Sequence, residues 1–315
     1  MPDVRRPSRA GAALLRGVHA LTTILLISAM PSTPPAIAAE HLLIDHATVA
    51  GVSLEQFRRA LTAAGVPSEY GGPHSNHATE MALVSFPDGS YLELMGIQPK
   101  ADPVAVSMHV WSKFLKENGG PCAFALRVDD IDREVRHLRT EGIPVGATEP
   151  SGRTRPDGVK LAWETVNVGP GNRGSLFPFL IRDLTPRANR VYPAGKPVTD
   201  RYSGVSKVVI GVHDLDTVIA QYRKAFNLPA ALRTKDSHFD AQLAWFEGTP
   251  IVLAQGTTPQ SWLTRRVHDF GDAPCAFVLK LGTQGMLGSP SRWFGKTIFW
   301  ADEAQLGWRL GFEAK

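Results

Sequence analysis

The chain has 315 residues, 43% apolar and 20% charged, enough for about two domains of ordinary globular composition. Disorder, collagen and coiled coil are excluded, and no apolar run reaches the ~18 residues that a membrane-spanning helix needs. The formal charge of +4 comes without a basic run or an aromatic-interleaved basic stripe, so the footprint of nucleic-acid binding is missing and a small molecule is the expected partner.

The chain opens with Arg5, Arg6, Arg9 and Arg16, continues through the apolar stretch Val18 to Met30 and reaches Ala36-Ile37-Ala38. Basic, greasy and small-residue regions in that order predict a signal peptide over residues 1–38. The mature chain is then periplasmic or secreted, with no membrane span after cleavage. Cleavage removes four of the 34 basic residues and one of the 30 acidic ones, leaving +1, so the basic balance belongs largely to the leader.

An apolar strand, Leu43 to Ala50, then runs into a helix over 54–64 with Leu54, Phe57, Leu61 and Ala64 on one face. Ser53 and Gln56 form a capping box, and Gly65 ends the helix. His74 and His77 follow in the loop and strand entry. Glu80 to Phe86, the turn Asp88-Gly89 and Tyr91 to Gly96 read as a hairpin. Alternation there puts Glu93 on one face with Tyr91 and Met95, opposite Leu92 and Leu94.

A second strand and helix run from Phe124 to Gly142, with Asp130 as cap and Ile131, Val135 and Leu138 inward. Arg153 and Arg155 precede Pro156-Asp157-Gly158, which predicts a rim hairpin whose guanidinium groups suit a substrate carboxylate. Trp163 on the next strand is a candidate aromatic wall. Thr185 to Arg201, with Pro186, Pro193, Gly195 and Pro197, reads as a linker. Beyond it Val205 to Val212 and Leu215 to Phe226 repeat the opening strand and helix, Asp214 serving as N-cap. Thr283 to Gly288 is too short and glycine-rich for a full helix.

The chain is internally duplicated. Pro121-Cys122-Ala123-Phe124-Ala125-Leu126-Arg127-Val128 recurs 153 residues later as Pro274-Cys275-Ala276-Phe277-Val278-Leu279-Lys280-Leu281. Each copy is followed by a glycine with a tryptophan five residues on, Gly158 with Trp163 and Gly295 with Trp300. Four strand–helix starts make four modules of strand, helix and three strands. Cys122 and Cys275 lie in no C-x-x-C; they read as small buried apolar groups, with pairing left open. H-E-x-x-H, G-x-S-x-G and phosphate-loop patterns are absent.

The pattern resembles the vicinal oxygen chelate superfamily, and the first half resembles its glyoxalase-like domain. The residues that carry the resemblance are Ile44-Asp45-His46, Gly71-Gly72-Pro73-His74, Asp88 to Leu94, Val128-Asp129-Asp130, Arg153 to Gly158 and Leu176-Phe177-Pro178-Phe179-Leu180. The resemblance implies an α+β fold of tandem βαβββ modules whose paired, mixed sheets curl into cups. It divides the chain into a glyoxalase-like domain at 39–184, a linker at 185–201 and a second, degenerate domain at 202–315, working as a monomer or homodimer.

The resemblance also implies metal ligands on the first and last strands of each module. His46 and Glu93 occupy two of those positions, an imidazole and a carboxylate suited to Zn, Ni, Mn or Fe. Ala123 and Phe179 occupy the other two and bind no metal; in the second half the positions fall near Lys207, Val252, Ala276 and Arg309. A third ligand is then wanted, and His74 and His77 in the following loop are both candidates for it. His77 is taken as the third ligand, His74, Arg153, Arg155 and Trp163 as substrate contacts, and Glu93 also as the catalytic carboxylate. Two readings stay open: a metal-assisted isomerase or lyase, and a metal-free protein that sequesters a small molecule.

Overall fold

The computed structural model describes residues 42–155, 157–282 and 289–314. The leader-like segment 1–38 and Thr283 to Gly288 lie outside the described residues. In chain order the first half contains β1 (Leu43–Ala50), α1 (Leu54–Ala63), β2 (Glu69–Pro73), β3 (Thr79–Ser85), β4 (Tyr91–Ile97), α2 (Pro103–Met108), α3 (Ser112–Glu117), β5 (Gly120–Arg127), α4 (Ile131–Thr140), β6 (Glu149–Thr154), β7 (Lys160–Val166) and β8 (Phe179–Asp183). After α5 (Arg187–Val191) come β9 (Tyr202–Gly211), α6 (Leu215–Phe226), β10 (Leu232–Asp236), β11 (Ala241–Trp245), β12 (Ile251–Gly256), α7 (Trp262–Phe270), β13 (Ala273–Leu281), β14 (Ser289–Trp293), β15 (Lys296–Trp300), α8 (Glu303–Leu306) and β16 (Arg309–Glu313).

Each half is one eight-stranded mixed sheet, β2-β3-β4-β1-β5-β8-β7-β6 and β10-β11-β12-β9-β13-β16-β15-β14. The order is palindromic about the β1/β5 and β9/β13 pairs. In each module the first and last strands run parallel, while the two first strands meet antiparallel. The fold is therefore α+β, built of four sets of one strand plus three, with a helix after the first strand in three of the sets among the described residues.

Alternation sorts the side chains into two faces. Ala47, Val49, Leu92, Leu94 and Phe124 join the helix residues Leu54, Phe57, Leu61, Ile131, Val135 and Leu138 in one core, which continues into Val208, Ile210, Tyr222 and Phe277 of the second half. The caps anticipated in the sequence form: the Ser53 hydroxyl accepts from the Gln56 N–H, Asp130 from Arg133 and Asp214 from Thr217. The stretch at 185–201 is more than a linker, because α5 sits in it and buries Arg190 and Val191.

The halves are joined through α7. Half-buried Arg266 donates to the carbonyls of Gly119 at 2.7 Å, Pro121 at 2.5 Å and Pro274 at 3.1 Å. Pro121 and Pro274 are the first residues of the two repeat copies, so one guanidinium ties β5 to β13. Cys122 and Cys275 are free, buried thiols. Burial raises both, Cys275 to about 12, which makes them inert packing groups.

Replacing Arg266 with Met leaves three carbonyls without their charged donor. We expect Arg266→Met to lower the unfolding free energy by about 2–5 kcal/mol in urea denaturation, while Arg265→Met on the same helix stays within about 0.5 kcal/mol of wild type.

Candidate functional site

The hollow face of the first sheet encloses a cavity of about 320 Å³, at the lower end of small-molecule pockets. Tyr91, Glu93 and Met95 of β4 line it with Met81 and Leu83 of β3, as a period of two requires. His46, Arg153, Trp163, Phe179 and Ile181 reach it from β1, β6, β7 and β8. His74 enters from the loop after β2, His109 and Trp111 from the α2–α3 junction, and Arg173 from the loop before β8.

Glu93 is the cavity's one carboxylate among the described residues, with its side chain 13% exposed. The Thr48 hydroxyl donates to its Oε2 at 3.2 Å. Two imidazoles flank it, one on each oxygen: His46 Nε2 lies 4.0 Å from Oε2 and His74 Nε2 lies 3.7 Å from Oε1.

His46 is oriented from behind. The β1–β5 register shifts between Ile44 and His46, and this bulge lets the adjacent Asp45 and His46 side chains meet, with His46 Nδ1 2.6 Å from Asp45 Oδ1. The ring also stacks on Tyr91 at 4.8 Å and 12° and takes the edge of Phe179 at 5.3 Å. Burial pushes the Asp45 carboxyl up, but the Arg190 charge, helped by the His46 hydrogen bond, holds it well below the usual carboxylate range. An anionic Asp45 makes Nδ1 the donor, which leaves Nε2 as the ring nitrogen turned toward Glu93.

Arg190 comes from α5. It donates to Asp45 at 2.8 and 3.0 Å, to Asp183 at 2.6 and 2.8 Å and to the Tyr91 hydroxyl at 2.8 Å. Arg187 joins both aspartates, giving two arginines against two acids. His74 is held differently, with Nδ1 2.8 Å from the Thr79 hydroxyl, which also accepts from Asn76. Burial lowers the His74 pKa against the pull of Glu93, and Arg153 lowers it further, so the ring is neutral at pH 7.

His46, His74, Glu93, Arg153 and Trp163 thus share one cavity. His77 and Arg155 do not join them. His77 has φ 57°, which turns its exposed side chain out while its carbonyl accepts from the Asp102 N–H at 2.8 Å. Of the two loop histidines weighed as third ligand, it is His74 that stands beside Glu93, not the preferred His77. Arg155 spends its guanidinium on the carbonyls of Asn189 and Pro193 and on Asp157, bracing the α5 segment. Sequence reasoning missed Asp45, His109, Trp111, Arg173 and Arg190. The acid beside His46 was a visible signal, but its inward turn depends on a bulge that alternation does not encode.

Two imidazole nitrogens and a carboxylate are chemically what a divalent Zn, Ni, Mn or Fe ion takes, and each ring is anchored through its other nitrogen. Bonds of ~2.0–2.2 Å place ligands of one ion roughly 3–3.5 Å apart, somewhat less than the 3.7 and 4.0 Å here. Among the described residues no cluster of three or more His, Cys, Asp or Glu is gathered closely enough for an ion as it stands. The donor set fits such an ion in chemistry.

The second cup is filled. Phe239, Trp293 and Trp300 pack at 5.1 Å centroid separations inside it, and Trp293 Nε1 donates to Asp236. Lys207, at the place of His46, pairs with Glu313 at 2.8 Å. Its charges are spent within the fold.

A family model described as a glyoxalase-like domain matches residues 44–231, more than half of the chain. The chain belongs to the glyoxalase-like domain family. Solved structures share this vicinal oxygen chelate fold at low identity. A hypothetical protein from Staphylococcus aureus is 14% identical over 86% of this chain and 99% of its own, with TM-score 0.59. A triple mutant of 4-hydroxymandelate synthase from Streptomyces coelicolor is 14% identical over 89% and 92%, with TM-score 0.52. A fusion of a xylose isomerase-like TIM barrel with 4-hydroxyphenylpyruvate dioxygenase is 13% identical over 90% of this chain and 50% of its own, with TM-score 0.54. No curated protein matches in sequence. Among the described residues of this glyoxalase-like protein, no helix is long and apolar enough to cross a membrane.

Asp45 anchors the site, and its removal strands two arginines. Asp45→Asn is expected to lower the unfolding free energy at pH 7 by about 3–5 kcal/mol. Because the folded pKa of Asp45 is depressed, wild type holds this contribution above the unfolded value of ~3.9 and loses it as pH falls through the folded value. The gap between wild type and variant should therefore narrow below about pH 4, which urea titrations at stepped pH would measure.

Proposed function

We propose that the first cup is an enzyme site for a small oxygenated metabolite, where a proton is moved on the carbon beside a carbonyl or hydroxyl. The carrying observation is Glu93, a largely buried carboxylate with an imidazole Nε2 beside each oxygen at the base of the cavity. In this reading Glu93 takes a proton from carbon and returns it to the neighbouring atom, an isomerisation or, with loss of a leaving group, a lyase reaction. Thr48 holds Oε2 in place, while Asp45 and Thr79 aim the two imidazoles. Trp111, Trp163 and Phe179 exclude water from the substrate's apolar part.

The same residues support a resident divalent cation held by His46, His74 and Glu93. Such an ion, when bound, polarises a substrate oxygen and stabilises the negative charge that develops on it. The leader-like residues 1–38 support action outside the cytoplasm. A metal-free sequestering protein is the second reading, favoured by the apolar Ala123 and Phe179 at the remaining ligand positions and by the open spacing around Glu93.

The test is metal analysis of protein purified natively from the exported fraction, whose mass also reports removal of residues 1–38. The proposal expects close to one ion per chain, lost in His46→Ala and His74→Ala and retained in His77→Ala. Metal-free wild type with no thermal shift on adding Zn, Ni, Mn or Fe(II) contradicts it and leaves the sequestering reading.

A further inference from the structure

The cavity carries more positive charge than its own acids neutralise. Arg187 and Arg190 are balanced by Asp45 and Asp183. Among the described residues Arg153 and Arg173 have no carboxylate of the cavity within ion-pair distance, and Glu93 attracts both only from farther off. The Arg153 guanidinium donates only to the Gly71 carbonyl, at 3.3 Å, among the described residues. Arg173 has Glu149 4.0 Å away, but that carboxylate is 64% exposed and solvent-screened. The Arg173 guanidinium lies 4.2 Å from the centre of the Phe179 ring. Burial lowers the pKa of both arginines, the mark of cations removed from water without full compensation.

The loop that carries Arg173 is built to hold it. Trp111 Nε1 donates to the Arg173 carbonyl at 3.0 Å. Gly174 has φ 70°, and a Cβ there would lie 2.8 Å from Ala123 Cβ and 2.9 Å from the Phe124 carbonyl, so only glycine turns the chain this close to β5. Arg153 is equally placed, on the β6–β7 hairpin. Two guanidinium groups, carried on separate elements and short of acceptors, face a cavity that Trp111, Trp163 and Phe179 also line.

We infer that Arg153 and Arg173 form a two-pronged clamp for a carboxylate, and that the ligand is a small organic acid with a flat apolar body. The clamp is a statement about binding at the same site and does not depend on the proton-transfer reading of Glu93. Arg forks suit a carboxylate because paired N–H groups match its two oxygens.

The test is titration calorimetry on the intact protein carrying Glu93→Gln, with pyruvate, 2-oxobutyrate and phenylpyruvate against their methyl esters. The acids should bind at least tenfold more tightly than the esters, with phenylpyruvate tightest. Arg153→Met and Arg173→Met should each weaken acid binding at least tenfold and leave ester binding unchanged, whereas Arg139→Met on the surface of α4 changes neither. Lack of acid binding, equal binding of acids and esters, or indifference to both substitutions overturns the clamp. Exchange of the C3 protons of these acids for deuterium from deuterated water by wild type, followed by NMR, separates the two ideas. Clamp-dependent binding without exchange retains the clamp and rejects proton transfer, and exchange that ignores Arg153 and Arg173 does the reverse.

Discussion

Burying Arg190 constrains the rest of the site. A guanidinium taken out of water demands acceptors, and this one finds them on three strands at once: Asp45 on β1, Asp183 on β8 and the Tyr91 hydroxyl on β4. Buried ion pairs stabilise little in net terms, yet they are costly to break and so select one arrangement. The arrangement here docks α5 beneath the cup, keeps Asp45 anionic and thereby sets the tautomer and aim of His46. Tyr91, stacked under that imidazole, has its hydroxyl raised by burial and stays a neutral phenol. The chemistry of the cavity is inherited from a charge balance made behind it.

Two cups with the same strand order have taken opposite courses. In the first, the β1 position is His46 facing a carboxylate across 4.0 Å, and the cavity stays open. In the second, the same position is Lys207, closed on Glu313 at 2.8 Å, and three large aromatic rings occupy the hollow. An apolar hollow filled with Phe239, Trp293 and Trp300 adds burial, whereas an open one gives up that contribution for access to a ligand. The second half supports the first through the shared helix-side core and through Arg266.

Much of the fold was legible because duplication and alternation are periodic signals. The Pro121 and Pro274 segments became β5 and β13, and Tyr91, Glu93 and Met95 share the cavity face. What escaped was aperiodic. The Asp45 bulge breaks the period of two; the positive φ of His77 sends outward a histidine that spacing alone places near Glu93. Arg190 sat in a proline- and glycine-bearing stretch that reads as a connection, and Arg173 in a loop whose position is set by Gly174 against Ala123. Arg155 shows the converse, a well-motivated substrate contact whose donors are consumed by the α5 segment.

The central claim is that His46, His74 and Glu93 form one working constellation in the first cup. Anomalous diffraction from crystals of the protein equilibrated with Mn(II) tests it most directly. The account predicts a single strong peak within coordination distance of His46 Nε2, His74 Nε2 and a Glu93 oxygen, with the second cup empty of signal. A peak at His77, or none in the first cup at saturating Mn(II), would contradict it.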